Sequence, residues 1–117
     1  MRALITGAAG MYGINLIRRL LRDEPSTAIV AVDDFSRVFP GGEPLTPLAE
    51  ASRSVEIVRR DYTDLTTQQL EHWAPDVIVH FAARISVPES MREPQIYFEA
   101  NEVGTFQFAR AIADMTH

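Results

Sequence analysis

The feature that most constrains this chain is a glycine-rich turn between a short apolar run and a helical stretch. The apolar run covers residues 3–5, and apolar residues recur at helical spacing from Ile14 to Leu21. Three glycines separate the two at intervals of three residues: Gly7, Gly10 and Gly13. This order predicts a buried strand, a tight turn and a helix, which together open an α/β fold.

Three further apolar runs predict three more strands, over residues 28–32, 55–58 and 77–81. These runs are apolar on both alternating faces, as is typical of a parallel sheet covered by helices on each side. Right-handed crossovers give the sheet order 3-2-1-4. The expected fold class is therefore α/β, a Rossmann-type doubly wound parallel sheet, of which residues 1–117 form the N-terminal part with no second domain.

The segments between the strands are predicted to be helices and loops. We expect helices over 65–73 and 93–115, a short helix near 48–51, and a surface loop over the proline-rich stretch 39–47. The last helix is expected to turn a stripe towards the core, made by Val103, Phe106, Ala109 and Ile112. A complete sheet would continue beyond the fourth strand. We therefore expect the edge of that strand and one face of the last helix to be uncovered.

Composition excludes several partners and chemistries. The 16 acidic residues outnumber the 11 basic ones, giving a net charge of -5, and no basic run could follow a nucleic-acid backbone. Cysteine is absent, which excludes disulfides and thiolate chemistry, and we predict no metal site. Because no apolar stretch reaches about 18 residues and no leader precedes the first strand, we expect no membrane insertion and a cytoplasmic location.

The glycine turn has the properties of a pyrophosphate site. A helix N-terminus presents unpaired N–H groups and a partial positive charge, which favour an anion. Gly7 permits the tight turn, Gly10 lets phosphates approach, and Gly13 allows the helix to pack closely on the strand. The predicted cofactor residues of the same turn are Ala9, Met11 and Tyr12. The spacing differs by one residue from the standard dinucleotide fingerprint, and simple turn glycines are the alternative.

A carboxylate closes the second strand, where the adenosine ribose of a dinucleotide would lie. Asp33 follows Gly13 by 20 residues and can accept hydrogen bonds from the ribose hydroxyls. Its fixed charge repels a 2′-phosphate, so the predicted cofactor is NAD, with Asp34 included in its site. Arg37 is close enough in sequence to reach a 2′-phosphate, and NADP is therefore the alternative.

Five landmarks in one order resemble the extended short-chain dehydrogenase/reductases, especially nucleotide-sugar epimerases and dehydratases. They are the glycine turn, Asp33, Asp61-Tyr62-x-Asp64, His80-Phe81-Ala82-Ala83 and Tyr97-x3-Asn101-x2-Gly104-Thr105. The resemblance runs through the whole chain. It implies the NAD-binding half of an enzyme that transiently oxidises a sugar hydroxyl by hydride transfer.

The resemblance also implies cofactor roles outside the glycine turn. Asp61 corresponds to the acid that receives the adenine amino group, and Tyr62 offers its backbone beside it. Phe81, Ala82 and Ala83 correspond to the end of the fourth strand, across which the cofactor lies. Helix capping is the alternative role for Asp61, and close packing is the alternative for the two alanines.

At the other end of the implied cofactor, Arg84 would face the phosphates and Asn101 would lie near the nicotinamide. A merely exposed arginine and a capping asparagine are the alternatives. His80 is predicted to be a satisfied core histidine that fixes the neighbouring loop, with general-base work as the lesser interpretation. The loop bordering the sugar would contribute Ser86, Val87, Glu89 and Ser90.

The catalytic pair of this family, Tyr-x3-Lys, has no counterpart in the chain. All basic residues are Arg, and no Lys occurs anywhere. A neighbouring Lys is what lets a phenol of pKa about 10 act at neutral pH. We therefore expect no catalytic residues here and read the chain as an inactive N-terminal piece of an epimerase or dehydratase that acts on a nucleotide sugar. The alternatives are a family reductase acting on a non-sugar carbonyl and a non-catalytic dinucleotide-binding module.

Family members commonly dimerise through the helix matching 101–115, so a homodimer is expected.

Overall fold

The chain forms a four-stranded parallel sheet with helices on both faces. The computed structural model describes residues 1–37, 43–84 and 86–116. The strands are β1 (Arg2–Thr6), β2 (Ala28–Asp33), β3 (Val55–Arg59) and β4 (Val77–His80). Their order is β3-β2-β1-β4, and every neighbouring pair is parallel. The predicted fold class and strand order are confirmed.

Helices make the crossovers between these strands and continue beyond the last one. They are α1 (Met11–Asp23), α2 (Leu45–Glu50), α3 (Thr67–Trp73), α4 (Val87–Arg92), α5 (Pro94–Tyr97) and α6 (Gly104–Ala113). A 3₁₀ turn covers Tyr62–Asp64, and a π-helical segment, Phe98–Val103, joins α5 to α6. Within the described ranges, no helix has the length and apolar character needed to cross a membrane.

Neighbouring residues of β1 point to opposite faces of the sheet and build two separate cores. Ile5 packs in the core that α1 and α2 cover, whereas Leu4 packs in the core that α3 and α6 cover. Both side chains are fully buried. The centre of the strand, residues 3–5, is therefore apolar on both faces, as its position inside a parallel sheet requires.

The short helix after β2 begins three residues before its predicted start at residue 48. The Glu43 carboxylate accepts hydrogen bonds from the backbone N–H groups of Leu45 and Thr46, which caps the helix earlier. Pro47 lies in the first turn, where a missing N–H costs nothing. Residues 39–42 of the predicted loop lie outside the described residues.

The two longer helical predictions are partly wrong. The helix expected from residue 65 begins at Thr67, because Thr66 and Gln69 form a reciprocal capping box at its start. The helix expected over 93–115 is divided by the π-helical segment, and α4 precedes it. Ser86 caps α4 by accepting a hydrogen bond from the Glu89 N–H, a Ser-x-x-Glu signal that was present in the sequence.

The core-facing stripe predicted for the last helix is also wrong at its centre. Phe106 is 63% exposed and Ala109 is exposed, whereas Phe108 is only 3% exposed and packs with Ile112. The π-helical segment adds a residue to one turn and so rotates the buried face of α6 relative to an uninterrupted helix. Phe106 instead lies on an exposed face of α6, where one uncovered face was expected.

Phe108 is therefore expected to contribute much of the stability of the second core, the one that α3 and α6 cover. Replacing Phe108 with Ala should lower the free energy of unfolding by about 3–5 kcal/mol, because it removes a buried ring. Met91 is 80% exposed on α4, and Met91→Ala should change it by less than about 0.5 kcal/mol. Urea unfolding of the two variants measures the difference, and equal losses would contradict this core assignment.

Candidate functional site

The glycine turn lies at the carboxyl end of β1 and touches the end of β4. Gly7 has a φ of +65°, a left-handed conformation that side chains disfavour, and its carbonyl accepts the Gly10 N–H at 3.0 Å. A Cβ on Gly7 would lie 2.7 Å from the backbone nitrogen of Ala82. Only glycine fits between the two strand ends.

The start of α1 presents its backbone to the space above the sheet. Gly10 is the N-cap, and among the described residues no side chain caps this helix. A Cβ on Gly10 would meet only the Gly7 carbonyl oxygen, at 3.2 Å, whereas one on Gly13 would lie 2.6 Å from that oxygen. Gly13 is thus packed tightly inside the fold, and Gly10 faces outward. The exposed helix start has the electrostatic character that suits an anion.

Asp33, at the end of β2, is joined directly to the glycine turn. Its Oδ2 accepts the Ala9 N–H at 3.0 Å, and its Oδ1 accepts the Phe35 N–H at 2.9 Å. Phe35 has a φ of 58°, and Arg59 lies over its ring at 4.1 Å. The carboxylate therefore holds both the glycine turn and the strained turn that follows β2. Asp34 is exposed and accepts the Ser36 N–H at 3.0 Å.

Asp61 and Tyr62 follow β3 beside this site. Asp61 Oδ1 accepts hydrogen bonds from the Thr63 N–H at 3.0 Å and the Thr63 hydroxyl at 2.8 Å. The capping role considered for Asp61 is therefore present, at the 3₁₀ turn, and its adenine role stays a prediction. Tyr62 is only 7% exposed, and burial raises the pKa of its phenol.

The predicted residues that follow β4 lie against the glycine turn. The Phe81 ring is 5.9 Å from the Tyr12 ring, centroid to centroid, and Tyr12 is 70% exposed. The Ala82 N–H donates to the Thr6 hydroxyl at 3.2 Å, and Ala83 is exposed. Met11 also lies exposed at the start of α1. The end of β4 and the start of α1 thus form two sides of one open surface.

Asn101 lies in the π-helical segment and binds the chain just after β4. Its Oδ1 accepts the Arg84 N–H at 2.8 Å, and its Nδ2 donates to the Arg84 carbonyl oxygen at 2.9 Å. This double contact fixes the backbone of one residue from both sides. Asn101 is therefore not a helix cap, which was the alternative proposed from sequence.

The side chain of Arg84 belongs to a polar cluster beside that clamp. Arg84 Nη1 donates to Glu89 Oε1 at 3.0 Å, and Arg37 Nη2 lies 3.7 Å from the same oxygen. Arg84 holds the pKa of Glu89 below its ordinary value, with weaker help from Tyr97 and Arg37. Arg37 also approaches the Tyr97 hydroxyl at 3.5 Å. The cluster connects the segment after β2 with the segment after β4.

The residues predicted to border a sugar do not form an irregular loop. Val87, Glu89 and Ser90 lie in α4, and Ser86 is its N-cap. The Ser86 N–H donates to the Tyr97 hydroxyl at 2.9 Å, and the Ser90 hydroxyl donates to the Val87 carbonyl oxygen at 2.7 Å. Val87 is 68% exposed. These residues adjoin the polar cluster, at the rim of the site rather than against the glycine turn.

Two threonines for which no role was predicted from the sequence hold His80 beside the core that α3 and α6 cover. Thr6 Oγ1 lies 2.5 Å from His80 Nδ1, and Thr105 Oγ1 lies 3.1 Å from His80 Nε2. Because the hydroxyls can donate or accept, they satisfy a neutral imidazole in either tautomer. The geometry matches the predicted core histidine, and burial lowers its pKa below the ordinary value. Thr105 belongs to the last landmark of the sequence, but nothing in the pattern indicated that either threonine contacts His80.

The lowered pKa of His80 predicts a loss of stability in mild acid. In the unfolded chain His80 binds a proton near pH 6.5, whereas in the folded chain it does so only at lower pH. The free energy of unfolding therefore falls as the pH drops below about 6.5. Paired carboxylates titrate at lower pH. Urea unfolding at pH 7.5 and 5.5 should show this fall in the parent chain and a smaller fall in His80→Gln. An identical fall in both proteins would exclude His80 as its source.

Within the described residues, no group of three or more His, Asp or Glu side chains is arranged to hold a metal ion. The sites predicted from the sequence instead converge on one edge of the sheet. The glycine turn, Asp33, the segment after β4 and Asn101 are linked by direct contacts at the carboxyl ends of the strands. This is where open α/β sheets bind ligands.

Comparison with known proteins identifies the family to which the chain belongs. Residues 4–117 match the family model described as GDP-mannose 4,6-dehydratase. The UDP-glucose 4-epimerase of Mycolicibacterium smegmatis is 40% identical over 112 residues, which cover 95% of this chain and 34% of that protein. A dTDP-glucose 4,6-dehydratase of Mycobacterium tuberculosis is 30% identical over 112 residues, covering 96% of this chain and 33% of that protein.

Solved structures agree with this assignment. The fold resembles UDP-glucose 4-epimerase from Stenotrophomonas maltophila, solved with NAD and formylated UDP-arabinopyranose, with a TM-score of 0.82 and 26% identity. That comparison covers 97% of this chain and 34% of the other. The chain thus spans about a third of the length of these relatives. On the strength of its family match, its fold and its site, the chain belongs to the nucleotide-sugar epimerases and dehydratases of the extended short-chain dehydrogenase/reductases.

Proposed function

We propose that this chain binds NAD and forms the adenosine and pyrophosphate site of a nucleotide-sugar epimerase. The observation that carries the proposal is the outward-facing start of α1, beside the left-handed Gly7 and the braced carboxylate of Asp33. The residues present fit the cofactor. The backbone N–H groups of the first turn suit a pyrophosphate, and each Asp33 oxygen can accept a further hydrogen bond from a ribose hydroxyl.

The relatives support the choice of cofactor. Besides the Stenotrophomonas enzyme, a UDP-glucuronic acid 4-epimerase from Bacillus cereus was solved with NAD and has a TM-score of 0.82 with 27% identity. A dTDP-glucose 4,6-dehydratase from Streptomyces venezuelae was also solved with NAD. In this chain Asp33 would repel the additional 2′-phosphate of NADP. Arg37, the residue considered for that phosphate, lies near Glu89 and Tyr97.

The proposed reaction moves a hydride between a sugar carbon and the nicotinamide. NAD, when bound, supplies the hydride acceptor and later the donor. This chain would hold the adenosine at Asp33 and Asp61 and the pyrophosphate at the start of α1, and Asn101 would shape the site towards the nicotinamide end. Because the chain has no Lys, the Tyr-x3-Lys pair is not among these residues. The epimerase reaction is favoured over the dehydratase reaction because identity is 40% to an epimerase and 30% to a dehydratase.

The absence of Lys from the chain suggests a second candidate function. A non-catalytic dinucleotide-binding module would need the glycine turn and Asp33 without any acid/base pair. Both proposals share the cofactor site and predict no conversion of UDP-glucose by these residues alone. They differ in whether a Tyr-x3-Lys pair completes the site. An in-frame Tyr-x3-Lys encoded after residue 117 would support the enzyme, and a stop codon there would support the module.

We also propose that α6 forms a homodimer contact. Phe98 and Phe106 are 54% and 63% exposed on the π-helical segment and α6. Exposed aromatic rings on one helical region are typical of a surface that another protein covers. Open hollows lie along this face, and residues of both elements line them.

Removing one of these rings should weaken the proposed dimer. Light scattering should give twice the chain mass for the parent protein and a mass near that of one chain for Phe106→Ala at the same concentration. Met91→Ala, which removes an exposed apolar side chain from α4, should leave the dimer intact. A parent protein of single-chain mass at all concentrations would contradict the proposal, as would a dimer that Phe106→Ala leaves unchanged.

The cofactor proposal is tested most simply at Asp33. Asp33→Ala should raise the NAD dissociation constant at least about tenfold, because it removes hydrogen bonds to a charged group together with the brace on Ala9. NADP should lose less affinity, since the repulsion is removed with the carboxylate. Asp114→Ala, a change of the same charge at the end of α6, should leave both constants unaltered. Calorimetric titration measures both dissociation constants. Equal NAD affinity in Asp33→Ala and the parent would contradict the assignment of Asp33 to the cofactor site.

A further inference from the structure

The phenol of Tyr62 reaches from the end of β3 into the last helical region. Its ring lies 4.5 Å from the His80 ring and 5.6 Å, edge-on, from the Phe108 ring, centroid to centroid. Its hydroxyl donates to the Ala100 carbonyl oxygen and lies 3.4 Å from Thr105 Oγ1. The ring therefore belongs to the core, while the hydroxyl contacts the helix backbone.

This hydroxyl contact coincides with the change from α-helical to π-helical hydrogen bonding. In an α-helix the Ala100 carbonyl would accept the Gly104 N–H, four residues later. Here the Gly104 N–H donates to the Glu99 carbonyl instead, five residues back. Tyr62 supplies the donor that Ala100 thereby loses. A Cβ on Gly104 would lie 2.6 Å from the phenolic oxygen, so the hydroxyl also occupies the space beside the altered turn.

The same π-helical segment carries Asn101, one residue after the carbonyl that Tyr62 binds. Asn101 in turn holds the Arg84 backbone at both its N–H and its carbonyl. The extra residue in a π-helical turn rotates the side chains that follow it relative to those before it. A change in this turn would therefore alter the direction in which Asn101 projects.

We propose that Tyr62 is a positioning residue: its hydroxyl stabilises the π-helical turn that directs Asn101 onto Arg84. The backbone after β4, across which the cofactor would lie, is then shaped by a side chain from the end of β3. Through Tyr62 the adenine side of the sheet edge is coupled to the opposite end of the site. The effect on NAD affinity rests on the proposed function, whereas the effect on the Arg84 backbone does not.

Tyr62→Phe tests the proposal because it keeps the ring and removes the hydroxyl. Thr67→Val is the matched control. The Thr67 hydroxyl donates to the Ala111 carbonyl of α6 at 2.9 Å, so this variant removes the same type of bond away from the π-helical turn. Both variants should lose similar stability. Only Tyr62→Phe should speed hydrogen exchange of the Arg84 amide, by about five- to tenfold, and raise the NAD dissociation constant several-fold.

Asn101→Ala provides a second route that leaves the core intact. It should reproduce both effects, and the double variant Tyr62→Phe/Asn101→Ala should be no weaker in NAD binding than Asn101→Ala alone. Equal Arg84 exchange in Tyr62→Phe and Thr67→Val would overturn the proposal. So would an Asn101→Ala variant with unchanged Arg84 exchange, whether or not Tyr62→Phe folds. A parent chain that does not bind NAD would refute the proposed function, and the exchange measurements would still decide the role of Tyr62.

Discussion

The structure depends on the close contact between the glycine turn and the ends of the neighbouring strands. Gly7 fits against the backbone at Ala82, and the Asp33 carboxylate holds the Ala9 N–H. These contacts join the ends of β4, β1 and β2 with almost no side-chain volume between them. The start of α1 is thereby fixed at the sheet edge with its N–H groups directed outward. An anion at this position would meet the backbone N–H groups of a helix start, without any basic side chain in the turn.

A second set of contacts extends this edge towards the last helix. His80 is held between two threonine hydroxyls, Tyr62 binds Ala100, and Asn101 clamps Arg84. The part-buried polar groups of His80 and Tyr62 are thereby satisfied, and a buried polar group left unpaired would cost about 1–3 kcal/mol. We infer that the fold uses its second core to position the chain segment that would cover a cofactor. Core packing and site geometry therefore depend on the same residues.

The fold could be predicted because its signals are local and repeated. Apolar runs such as 28–32 fix the strands, and the turn at Gly7 with the carboxylate at Asp33 fixes the carboxyl edge. The sequence did not reveal the π-helical segment, since it depends on a hydroxyl that arrives from Tyr62, 38 residues earlier than Ala100. For the same reason Phe106 was assigned to the core instead of Phe108. The residues at the sheet edge were predicted individually, whereas contacts such as Asn101 to Arg84 required the folded chain.

In the proposed function, NAD occupies the edge formed by the glycine turn, Asp33 and the segment after β4. Titrating the isotopically labelled chain with NAD while recording amide chemical shifts locates the ligand directly. If NAD binds at this edge, the largest changes occur at the amides of residues 9–13, near Asp33 and from Ala82 to Arg84. Changes confined to the hollows beside α6, around Val103 and Gln107, would contradict it.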